Sequence, residues 1–168
     1  MKTLSLVQAA MIASLYVALT LVAAGFDLAS GAIQVRFSEC LTVLPYYTPA
    51  AIPGLIIGCL LANLLTGCLL PDVIFGTLAT GIAAYASYRI ARSGFPEGRP
   101  FVNRLFVSFC PVVSNAVIIP FVLTYAYGIP GGLLIQAVSV GFGEVIACVV
   151  FGQLLLAALY PVRGTLFG

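Results

Sequence analysis

From residue 105 to residue 143 the chain runs 39 residues without a charged side chain, and between Glu39 and Asp72 it runs 32. Further uncharged stretches cover 3–26, 73–88 and 145–162. A soluble domain carries about 25% charged residues; here the figure is 7%. A helix of about 20 apolar residues crosses a ~30 Å hydrocarbon core at 1.5 Å per residue. The sequence therefore reads as an all-α integral membrane protein, one domain over 1–168. The mean hydropathy of +1.17 agrees.

What is missing narrows the function. There is no His, which excludes imidazole general bases and His-metal sites. The only lysine is Lys2, so a GxxxxGK[ST] phosphate loop is absent and the chain cannot itself hydrolyse ATP in that way. A net charge of +2, with no basic cluster interleaved with aromatics, gives no reason to expect a nucleic-acid partner. Five cysteines without a CxxC pair read as small buried hydrophobes. No metal or other cofactor is expected. The first apolar run is long enough to span and is followed by others, so it reads as a retained helix and not a signal peptide.

Prolines at 45, 49 and 53 leave two layouts for 37–66: one kinked span, or two helices. Charge decides. Arg89, Arg92, Arg99 and Arg104 share one loop, and arginine-rich loops stay in the cytoplasm. Only with two helices do Lys2, this loop and Arg163 fall on the same side. Six transmembrane helices are expected, at about 3–25, 36–47, 50–67, 72–91, 104–127 and 132–161, with both termini cytoplasmic. The second is too short to cross alone and has to tilt or be completed by a loop. The segment 27–35 before it is expected to fold back as an outer lid.

Ionisable groups inside spans are costly and usually mark function. Glu144 lies about 18 Å along the last helix at 1.5 Å per residue. It is either protonated or paired with a ligand cation. Arg36 and Glu39, spaced i, i+3, are expected to meet at the outer mouth. They either pin the lid or face a cavity. Asp72 follows Pro71 and is either a helix N-cap or a ligand contact. Buried amides need partners: Asn115 reads as a tie between helices, Asn63 and Gln136 as ligand contacts. Tyr127 and Phe142 are among the outer aromatics that could stack on a ligand. Asp27, Glu39, Asp72 and Glu144, with Arg36, fall in the outer half, which describes a pocket open to one side. Two stripes of small residues also stand out, Ala10-x3-Ser14-x3-Ala18 beside Ala9-x3-Ala13, and Gly54-x3-Gly58-x3-Ala62. One can serve internal packing and the other can dock a partner.

The blocks QVRFSECLTVLP, AIPGLIIGCLLANLL, PDVIFGTLAT and SVGFGEVIACVV together resemble the QueT family, substrate-binding S-components of energy-coupling factor (ECF) transporters associated with queuosine precursors. The likeness runs from IASLYVALT to the last helix and is weakest in the loop SGFPEGRPFVN. It implies a six-helix bundle in the cell membrane with an outward pocket. It implies docking through the first helix, here Ala10, Ser14 and Ala18, on a membrane scaffold subunit of the EcfT type, with two cytoplasmic ATPases. It also implies a 7-deazaguanine ligand such as preQ1 or queuine. A guanine-like edge offers two adjacent N–H groups to one carboxylate, and a cationic aminomethyl arm calls for another. Glu144 is expected on the edge, Glu39 or Asp72 on the arm, with these roles interchangeable. Asn63 and Gln136 would contact the ring, and Arg36 would hold Glu39. An S-component for another solute, a proton-coupled transporter working through Glu144, and an intramembrane enzyme are the rival readings.

Overall fold

The structure is a computed structural model that describes residues 3–26 and 36–167. The expected lid over 27–35, with Asp27, lies outside the described residues. Among those described there is helix and no strand. Helix α1 spans Thr3–Gly25, α2 Ala51–Leu65, α3 Leu70–Ser93, α4 Pro100–Phe121 and α5 Gly132–Glu144. A π-helical turn, Val122–Ala126, extends α4. A second, Val145–Phe151, joins α5 to α6, Gly152–Leu159, and the chain ends in α7, Arg163–Phe167. Three stretches are long and apolar enough to cross a membrane: Thr3–Gly25, Pro100–Tyr125 and Gly132–Phe167. Helix α3 has the length but carries Asp72, Arg89 and Arg92, and α2 has 15 residues.

The expected second α-helix is instead a 3₁₀ helix, Phe37–Tyr46. At about 2.0 Å per residue a 3₁₀ helix reaches further than an α-helix of equal length. Side chains supply part of the reason for this form. The carbonyl of Glu39 accepts from Thr42 Oγ1 at 2.5 Å and from Cys148 Sγ at 3.4 Å, so it does not depend on an α-helical amide. This element packs against α1, α3, α6 and the second π segment, at the centre of the bundle.

Helices adjacent in sequence pack side by side: α1 on α2, α2 on α3, α3 on α4, α4 on α5. The α1–α2 contact is close because it is built from small residues. A Cβ on Gly54 would stand 2.7 Å from the Ala9 carbonyl oxygen, and one on Gly58 would stand 2.8 Å from Tyr16 Cβ. Ala9 and Ala13 are buried here, while Ala10, Ser14 and Ala18 face outward. Gly152 likewise leaves room for Val43 of the 3₁₀ helix, whose Cγ1 would lie 2.8 Å from an added Cβ. Polar side chains tie other helices together: Ser114 Oγ donates to the Ala79 carbonyl at 2.8 Å, and Gln153 Nε2 to Ser108 Oγ at 2.6 Å.

Charge separates along the bundle. Arg89, Arg92, Arg104 and Arg163 gather where α3 ends and α4 and α7 begin. Arg36, Asp72 and Tyr127 lie toward the opposite end, where α3 starts and α4 gives way to its π turn. Glu39 and Glu144 are buried between.

Candidate functional site

Arg36, Glu39, Gly76, Thr80, Asn115, Ile119, Val140 and Glu144 line one cavity of about 20 Å³. Four elements contribute: the start of the 3₁₀ helix, the first half of α3, the second half of α4 and the end of α5. Val140 and Glu144 share a face of α5 because they are four residues apart. Gly76 and Thr80 do the same on α3.

The two carboxylates are held from behind. Glu39 is 2% exposed, and its Oε1 accepts a short hydrogen bond from the Tyr16 hydroxyl of α1. Thr20 of α1 binds Ser38 next to it, Oγ1 to Oγ at 2.8 Å. On the other wall, Cys148 Sγ donates to Glu144 Oε2 at 3.2 Å. The remaining oxygen of Glu39, Oε2, is buried and has no hydrogen-bond partner. A buried carboxylate oxygen in that state is costly and is set to accept a donor.

Arg36 does not hold Glu39, contrary to the expectation from their spacing. Its Nη2 lies 3.4 Å from Asp72 Oδ2, the only ion pair among the described residues. Arg36 precedes the helix in an extended conformation, φ −89° and ψ 98°, so the i, i+3 rule for helical neighbours does not apply to it. Tyr127 donates its hydroxyl to the same Asp72 oxygen at 3.2 Å and accepts from the Leu69 amide at 3.1 Å. Asp72 is thus tied into a chain from Tyr127 to Arg36, although its Oδ1 stays buried and unpartnered. The guanidinium charge that reaches the cavity is balanced by Asp72.

Other expected ligand contacts fall elsewhere. Asn63 is buried behind the cavity wall: its Nδ2 donates to Cys59 Sγ at 3.5 Å and would lie 3.1 Å from a Cβ on Gly76. Gln136 donates to the Pro130 carbonyl at 3.2 Å, closing the turn before α5. It sits two turns from Glu144, about 12 Å along the axis. Phe142 is 55% exposed, since two residues from Glu144 is the far side of a helix. None of these three borders the cavity. Asn115, read from sequence as a tie between helices, does border it, as do Gly76 and Thr80.

A comparison with protein families finds a match to the QueT transporter model over residues 6–161. The chain belongs to the QueT transporter family. No curated protein and no solved structure matches it. In this QueT chain the blocks that carried the resemblance converge on the cavity. The first supplies Arg36 and Glu39, the third Gly76 and Thr80 with Asp72 paired to Arg36, and the last Val140 and Glu144 with Cys148 bonded to Glu144. The second supplies the glycines that α1 packs on and Asn63 behind the wall. The family is one of transporters, and the three long apolar helices fit a protein of the membrane.

Proposed function

We propose that this protein is the S-component of an ECF-type importer, a multi-pass protein of the cell membrane that captures a 7-deazaguanine queuosine precursor, preQ1 or queuine, from outside. It would cross the membrane six times with both termini in the cytoplasm. Its partners would be a scaffold subunit of the EcfT type and two cytoplasmic ATPases, and it would catalyse no reaction itself. The observation that carries this reading is the pairing of Glu39 and Glu144 around one cavity, with Arg36 neutralised by Asp72.

Two buried carboxylates with no basic partner of their own favour a ligand that is cationic and rich in donors. A 7-deazaguanine with an aminomethyl arm is both. Glu144 would take the N–H pair of the base edge and Glu39, through Oε2, the ammonium. Asn115 and Thr80 would serve the remaining ring atoms, a role first expected of Asn63 and Gln136. A cavity of about 20 Å³ has room for roughly one water, so capture requires the walls to part. Both π segments adjoin this region, and π turns are frequent at functional sites. The outward face Ala10, Ser14 and Ala18 would dock on the scaffold: its serine bonds the Ala10 carbonyl at 2.9 Å, so the face presents no unmet polar group.

The test is the small molecule that leaves with the protein. Mass spectrometry of chain purified from cells supplied with preQ1 and queuine should find one of them bound. Uptake of that compound should cease when the ATPase subunits are deleted. Recovery of an unrelated solute, or uptake that persists without the ATPases, would overturn the reading.

A further inference from the structure

At the arginine-bearing end two guanidinium groups share one aromatic ring. Arg104, in the second turn of α4, lies 5.3 Å from the ring centre of Tyr160 and 5.5 Å from that of Tyr46. Arg163, at the start of α7, lies 3.7 Å from the Tyr160 ring centre and donates from Nη1 to the Tyr160 carbonyl at 3.0 Å. The two cationic centres are thus at most about 9 Å apart, about one Debye length at physiological salt. Neither has a carboxylate partner among the described residues. The buried Nε of Arg104 has no hydrogen-bond partner at all.

Two like charges brought together without an acid call for an anion between them. Arginine is the side chain best shaped for phosphate, with paired N–H donors. The tyrosine rings fix both guanidiniums by cation–π contact and belong where headgroups meet acyl chains. The other elements are held in place around them. Gln8 of α1 donates to the Leu166 carbonyl of α7 at 2.7 Å, and Tyr47 stacks on Phe167 at 5.5 Å. Gln153 donates to the Arg104 carbonyl at 3.0 Å. Arg89 and Arg92 sit instead on tyrosines of their own helix, Tyr85 and Tyr88. They share no ring.

We propose that Arg104 and Arg163, with Tyr46 and Tyr160, bind the phosphate headgroup of an anionic membrane lipid, at a site separate from the Glu39–Glu144 cavity. The bound headgroup would join the start of α4 to the C-terminal helix.

The experiment is native mass spectrometry of the full chain reconstituted in nanodiscs of equal parts phosphatidylglycerol and phosphatidylcholine. The wild type is expected to retain phosphatidylglycerol selectively. R104Q/R163Q should lose about fivefold of that preference for each arginine removed. R89Q/R92Q, which removes as much charge from the same end, should keep it. R163Q alone changes an exposed residue near the terminus and should show the single-arginine loss without endangering the fold. Excess inorganic phosphate should leave the bound lipid in place. Equal retention of the two lipids, an equal loss in R89Q/R92Q, an unchanged R163Q, or displacement by free phosphate would each overturn the proposal.

Discussion

Glu144 was conspicuous in the sequence because it interrupts an apolar helix, and an ionisable group there needs a reason. Its partners were not legible. Cys148 follows it by one turn, but Glu39 and Asn115 come from other elements, and nothing local signals their approach. Asn115 shows the limit well, because a buried amide reads the same whether it ties helices or lines a cavity. The Arg36–Asp72 pair was missed for a physical reason: the spacing of Arg36 and Glu39 predicts contact only on a helix, and Arg36 stands just outside one. Glu144→Gln keeps the shape of the side chain but would set an amide donor against the donors of the proposed base edge. Deazapurine binding, measured by calorimetry, should weaken by about 2 kcal/mol. Unchanged affinity would remove Glu144 from the site.

Helix positions were legible from charge and proline, and the bounds expected for the helices agree with the observed elements to within a few residues. The form of the second was not. Part of the reason for its 3₁₀ geometry is donation from Thr42 and from distant Cys148, which satisfy a carbonyl that local sequence would assign to an α-helix. The small-residue stripes were legible as stripes, since a four-residue period marks one side of a helix. Which stripe faces inward depends on the neighbour. Gly54 and Gly58 receive Ala9 and Ala13, which leaves Ala10, Ser14 and Ala18 outside. Ser14→Leu should therefore spare ligand binding while lowering uptake in cells, because it adds bulk only on the face proposed to dock. Loss of ligand binding, or normal uptake, would show that the face has another role.

Among the described residues the arginines other than Arg36 collect at one end, and the two carboxylates of the cavity lie buried away from it. No charged path joins them among the described residues. That layout suits capture on one side and motive force supplied by another subunit better than a proton relay through the membrane. The central claim is that the paired carboxylates select a cation. Isothermal titration of purified protein with preQ1, and with 7-deazaguanine lacking the aminomethyl arm, tests it most directly. A charge-assisted hydrogen bond contributes roughly 1.5–3 kcal/mol, so preQ1 is predicted to bind at least about tenfold more tightly. Equal affinities, or no binding of either compound, would contradict it.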